Sequence, residues 1–199
     1  METSLKNTAN SLIWKEESRK IVYSCPIFKV EERTCRSPDN YLKPFTVLAT
    51  SDWAIVIPAL EKDQKKKFVM VKQWRHGADA LSLEFPGGVF EKNEDAEAAA
   101  ARELREETGY TAGKIEKLGE FSPNPAIMNN KVHFFLATDL SAPQEQELDD
   151  DEFVEIEVVN PEDVLSGLGK PPYIHALMGT AIALYLKGPL FEKTDKQPD

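Results

Sequence analysis

Between Asp95 and Thr108 the chain runs through Ala, Glu, Arg and Leu with no internal Gly or Pro, and Gly109 follows. That composition predicts a helix, with Gly109 as its C-cap. At 3.6 residues per turn, Glu103, Glu106 and Glu107 stand at i, i+3 and i+4, so their carboxylates crowd one face. Each like-charge pair costs a few tenths of a kcal/mol, and the helix dipole also disfavours anions near a C-terminus. One way to compensate is a solvated face in which Arg102 and Arg105 form surface pairs. The other is a hard divalent cation such as Mg²⁺, which takes carboxylate oxygens and keeps positions for water and phosphate.

Composition bounds the alternatives. A chain of 199 residues, 41% hydrophobic and 29% charged, suits one compact globular domain with a small N-terminal extension. The net charge of −10 makes long nucleic acid a poor partner. A small anionic substrate would need a local device, either bound cations or a few placed arginines. Cys25 and Cys35, the two cysteines, have no metal-ligand spacing and read as reduced thiols in a cytoplasmic protein. Residues 1–14 hold no apolar signal segment, and the run Trp53 to Leu60 is too short to span a bilayer, so no membrane association is expected.

Upstream of the helix, one β-like run is expected over Arg19 to Val30, then a turn at Ser37 to Asn40. Phe45 to Thr50, Trp53 to Leu60 and Phe68 to Gln73 read as consecutive strands of one sheet. Leu81 to Phe85 is a short strand that stops at Pro86-Gly87-Gly88, where glycine permits a tight turn. Lys114 to Phe121, Lys131 to Thr138 and Phe153 to Val159 are expected as strands, and Pro161 to Leu168 and Tyr173 to Lys187 as helices. The expected organisation is a β-rich N-terminal extension over 1–44, an α/β domain over 45–190 and a polar tail over 191–199.

Spacing around the helix decides between the two readings of its glutamates. Gly88 is followed after five residues by Glu94, after seven more by Arg102-Glu103-Leu104, then by Glu106-Glu107 and Gly109-Tyr110. These nine positions in a 23-residue window resemble the Nudix box, G-x5-E-x7-R-E-U-x-E-E-x-G-U, in which U is apolar or aromatic. The resemblance implies an α/β/α sandwich with a mixed sheet and Mg²⁺-dependent hydrolysis, with Mn²⁺ as a substitute. It implies that Glu103 and Glu107 are the principal metal ligands and that Glu106 is a further ligand or a water-orienting carboxylate. Gly87 would offer its backbone carbonyl to the metal, Arg102 would position the glutamates, and Glu94 and Gly88 would shape the loop. Tyr110 reads as core.

Gln73-Trp74-Arg75 and Leu83 to Gly88, with Pro125 sixteen residues after Gly109, resemble ADP-ribose and nucleoside diphosphate sugar pyrophosphatases. That extends the similarity to roughly Trp53 through Val159 and implies cleavage to a nucleoside monophosphate and a sugar phosphate. Arg75 then either grips a phosphate or ribose or forms a surface pair; Glu84 either binds a sugar hydroxyl or a further metal. Trp74, Trp14 and Trp53 read first as packing residues, and His76, His133 and His175 as structural. Glu152, at the end of the acidic run, aligns as general base, against the alternative of a solvated acidic loop. The segment Asn124 to Asn130 departs from the Gly- and acid-containing loop of those enzymes, which would select another sugar or leaving group.

The competing expectations are hydrolysis of dinucleoside polyphosphates, NADH or damaged nucleotides, or a nucleotide sensor without turnover. Retention of Glu103, Glu106 and Glu107 argues against the sensor. RNA processing would need a basic stripe, and only Lys62 and Lys65 to Lys67 cluster. The N-terminal extension resembles the segment that builds homodimers in ADP-ribose pyrophosphatases, so a homodimer is expected.

Overall fold

The computed structural model describes residues 12–62, 64–148 and 152–191. Asp149 to Asp151 of the acidic run and the tail from residue 192 lie outside the described residues. Two compact units are present, one formed by residues up to 51 with 122–130, the other by the rest.

The first unit is an antiparallel sheet of β1 (Lys15–Ser24), β2 (Lys29–Arg36) and β3 (Leu42–Ala49). The single run expected over Arg19 to Val30 is instead a hairpin. It breaks at Pro26, which cannot donate to a ladder, and the Cys25 N–H closes the turn on the Phe28 carbonyl at 3.0 Å. The second turn holds Asn40 at φ 69°, a left-handed conformation that asparagine tolerates. Ser37 and Tyr41 close it by a 2.9 Å backbone bond. β3 pairs with β2 from Leu42 to Ala49, so this sheet runs past residue 44, and β3 is not a neighbour of the strands that follow it. The segment 122–130 is tied to β3 through Leu48, whose N–H donates to Ile127 at 2.7 Å and whose carbonyl accepts from Asn129 at 3.2 Å.

The second unit is an α/β/α sandwich. Its strands are β4 (Trp53–Lys62), β5 (Lys65–Arg75), β6 (Ala80–Glu84), β7 (Gly87–Val89), β8 (Ala112–Phe121), β9 (Val132–Leu140) and β10 (Glu155–Val159). The order is β10-β5-β4-β9-β8, with β6 beside β5 and β7 beside β4. The β4–β9 pair is parallel and the others are antiparallel, so the sheet is mixed. The helices are α1 (Ala96–Thr108), α2 (Pro161–Gly167) and α3 (Ala176–Phe191).

Alternation along β5 and β9 builds two cores. Phe68, Met70, Val132 and Phe134 pack with Val164 of α2 and Met178, Ala181 and Ile182 of α3. Val69, Phe135 and Ala137 pack with Ala99, Ala100 and Leu104 of α1, and Tyr110 joins this core as expected. Trp53 packs against the first core. Trp74 does not: it is 46% exposed near the end of β5.

Candidate active site

The chain reaches the glutamate helix through β6, Pro86 and β7. β7 pairs with the start of β4, Trp53 to Ile55, whereas the end of β4 pairs with β5. Pro86 holds the branch point, its carbonyl accepting from the Val56 N–H at 3.0 Å. Neither Gly87 nor Gly88 has a positive φ, so the tight-turn role expected for them is not what they do. They provide room. A Cβ on Gly87 would lie 2.2 Å from the Ala54 carbonyl oxygen, and one on Gly88 would lie 2.3 Å from Oε1 of Glu103.

α1 is capped at both ends by its own sequence. Asp95 accepts from the Ala98 N–H at 2.8 Å, and Gly109 at φ 70° donates its N–H to the Arg105 carbonyl at 2.8 Å. Within it, Ala99, Glu103 and Glu107 form one i, i+4 row, so the apolar contact of Ala99 carries the two glutamates inward. Glu107 is 4% exposed and Glu103 8%. Oε2 of Glu107 accepts the Gly87 N–H at 2.8 Å.

Arg102 organises the remaining carboxylates. Its Nε and Nη2 take Glu94 bidentately at 2.9 and 3.0 Å, while Nη1 donates to Glu103 at 2.9 Å and Glu106 at 3.0 Å. Nη2 also donates to the Val89 carbonyl at 3.1 Å. Glu94 is therefore the counter-ion that orients Arg102, and this pairing holds its carboxyl below the usual range. Its Oε2 also accepts the Glu91 N–H of the loop at 2.9 Å. Arg105 donates to Glu106 at 2.9 Å and pairs with Glu147.

Glu103 and Glu107 titrate in the opposite direction. Burial pushes Glu103 up to about 7 against the pull of Arg102, and burial with the neighbouring Glu103 pushes Glu107 up to about 8. These two carboxylates thus sit where burial disfavours their charge. Among the described residues no three His, Cys, Asp or Glu side chains already converge as a ligand set. Glu103 and Glu106 each turn an oxygen to Arg102, and Glu107 turns one to Gly87. The donor chemistry nevertheless fits a hard divalent cation, since two buried carboxylates with raised pKa are what such an ion would stabilise as anions.

On the neighbouring strands, Arg75 and Glu84 form a bidentate pair at 2.9 and 2.7 Å, with Glu84 only 4% exposed. The arginine thus has an inward partner rather than a surface one. His175, read from the sequence as structural, places Nε2 4.0 Å from Glu84. Its Nδ1 accepts the Leu177 N–H at 3.2 Å, which puts the proton of the neutral ring on Nε2, facing the carboxylate. It stands just before α3, which starts at Ala176, three residues later than expected. The charge of Glu152 adds to the upward push on Glu103, Glu107 and Arg75. His133 pairs with Asp52 at 3.2 Å, a structural contact as expected.

Sequence reasoning missed Gln144, Gln146 and Glu147, which lie against the end of α1. The Gln146 side chain donates to the Glu107 carbonyl at 2.6 Å. No local periodicity could have revealed a contact across 39 residues.

Comparison with known proteins agrees with this geometry. The NUDIX domain family matches residues 51–178. An ADP-ribose pyrophosphatase of Bacillus subtilis is 44% identical over 110 residues, 55% of this chain and 60% of that protein. A methanol dehydrogenase activator of Bacillus methanolicus is 36% identical over 104 residues, 52% of this chain and 55% of that protein. Both matches thus span less than two thirds of the relative's own length. A crystal structure of an ADP compounds hydrolase superposes with a TM-score of 0.77 at 23% identity, covering 90% of this chain and 97% of that one, which supports the fold. With the family match spanning most of the chain and the box residues gathered at one site, this protein belongs to the Nudix family.

Proposed function

We propose that this protein hydrolyses the pyrophosphate bond of ADP-ribose or a related nucleoside diphosphate sugar in a Mg²⁺-dependent reaction, yielding a nucleoside monophosphate and a sugar phosphate. The observation that carries the reading is the buried, desolvated pair Glu103 and Glu107 beside Glu106 and the Arg102 network. The similarity to an ADP-ribose pyrophosphatase supports the substrate class.

Glu103, Glu106, Glu107 and the Gly87 carbonyl would hold Mg²⁺, or Mn²⁺ in its place. The bound cation supplies charge neutralisation on the pyrophosphate oxygens. Arg102 keeps Glu103 and Glu106 in register through Glu94. The Glu84 pair engages Nε and Nη2 of Arg75, so Nη1 is the edge we assign to a substrate phosphate. As water forms its bond to phosphorus and the bridging P–O bond breaks, a carboxylate oxygen of Glu152 takes the water proton.

Product release is to be measured from ADP-ribose, ADP-glucose, GDP-mannose, UDP-glucose, NADH, diadenosine polyphosphates and nucleoside triphosphates, with Mg²⁺ and with chelator. Chelator-sensitive cleavage of the nucleotide sugars is expected. Turnover confined to the other compounds would keep the chemistry and overturn the substrate class, and silence throughout would favour a nucleotide sensor.

The working form we assign is a cytoplasmic homodimer. No helix among the described residues is long and apolar enough to cross a membrane, and the two cysteines are free thiols; recovery of the protein in a membrane or secreted fraction would refute a cytoplasmic setting. β1 is exposed at every position, including Ile21, Val22 and Tyr23 at 54–57%, an apolar surface that a second copy would cover. Light scattering at micromolar concentration is expected to give twice the chain mass, and a monomer would refute the dimer.

A further inference from the structure

The last carbonyls of an α-helix have no partner within it, so something outside must satisfy them. At the end of α1 that partner is the segment from Gln144 to Glu147. The Gly109 carbonyl accepts from the Gln144 N–H at 2.8 Å, and the Glu106 carbonyl accepts from the Glu147 N–H at 3.0 Å. The Glu107 carbonyl accepts from the Gln146 carboxamide at 2.6 Å. Arg105 closes the arrangement by pairing with Glu147. The approach is tight enough that a Cβ on Gly109 would stand 2.1 Å from the Gln144 carbonyl oxygen. That glycine therefore serves two ends, the left-handed cap and the passage of this segment.

Residues 141–148 belong to neither helix nor strand, so these contacts are what hold Gln144 to Glu147 in place. From these contacts we propose that Gln144 to Glu147 clamp the C-terminal turn of α1 and so position Glu107, with Gln146 as the positioning residue. This rests on the functional reading above.

The hydrogen bond of Gln146 goes to backbone, through a donor, so its removal should disturb alignment and leave substrate affinity largely intact. Gln146→Ala is expected to lower kcat about 10- to 100-fold, the range for groups that orient a metal's ligands, with KM changed less than about threefold. Gln146→Lys, which restores a donor, is expected to recover most of that loss. Hydrogen exchange of the full chain without metal or substrate should show faster exchange over 144–148 in Gln146→Ala and wild-type exchange in Gln146→Lys. Unchanged exchange, a loss carried by KM, or failure of the lysine to rescue would each overturn the clamp. A wild-type chain without turnover on any substrate would overturn the functional reading instead, and the exchange measurement would still decide the clamp.

Discussion

Replacing Glu107 with glutamine is expected to raise the melting temperature of the metal-free protein at pH 8 by several degrees and to lower pyrophosphate cleavage more than about 100-fold, beyond the usual cost of losing a group that only orients a ligand. The substitution keeps shape, and an amide oxygen can still accept the Gly87 N–H. What it removes is a buried charge. Folding raises the carboxyl from the ordinary 4.5 to about 8, so the folded state holds a proton that the unfolded chain releases. Its stabilising contribution is complete below about pH 4.5 and is lost as pH rises to about 8; Glu103 behaves likewise, with its upper limit at about 7. Each pKa unit corresponds to about 1.4 kcal/mol, and each kcal/mol moves the midpoint of a chain this size by about 2–4 °C. Calorimetry in chelator should therefore show wild-type stability falling from pH 5 to pH 8, less steeply in Glu107→Gln. Mg²⁺ should stabilise the wild type most at the alkaline end, where it no longer competes with protons. A flat wild-type profile, or a destabilised glutamine variant at pH 8, would refute the electrostatic account.

The adjacent glycines should separate fold from chemistry. In Gly87→Ala the new methyl meets backbone, the Ala54 carbonyl oxygen at 2.2 Å and Ile55 Cα at 3.0 Å, so β7 must part from β4. A stability loss of about 3 kcal/mol or more is expected, at or above the upper range for overpacking a core. In Gly88→Ala the atoms nearest the methyl are the end of Glu103, at 2.3 to 2.9 Å. That carboxylate can swing aside, so stability should fall by less than about 1 kcal/mol. The swing would take Glu103 from the place where Arg102 holds it, and turnover should drop about 100-fold. Chemical denaturation and steady-state rates on both variants check this; equal losses of stability in the two would contradict the distinction.

How much of this was legible beforehand depends on the range of the interaction involved. α1 was legible to within a residue, because Asp95, the alanine-rich interior and Gly109 act on their own neighbours. The glutamates were legible for the same reason, since i, i+3 and i+4 spacing is a property of the helix alone. The strands of the sandwich announced themselves by composition, but their neighbours did not: Phe45 to Thr50 reads like Trp53 to Leu60, yet pairs into the N-terminal sheet. The hairpin at Cys25 to Phe28 turned on one proline in an apolar run. Trp74 was misjudged as a packing residue because strand character does not say which positions the rest of the fold covers.

The sequence by itself determined the helix, its caps, the row of carboxylates on one face and the family to which that spacing belongs. Only the tertiary structure decided that Glu103 and Glu107 lose their water, that Glu84 sits against Arg75, that two glycines are needed for room rather than for a turn, and that Gln146 closes on the helix end. The physical reason is one of distance along the chain. Propensity and capping act over a few residues, whereas desolvation and close approach arise between segments 9 to 39 residues apart that meet only once the sheet has formed.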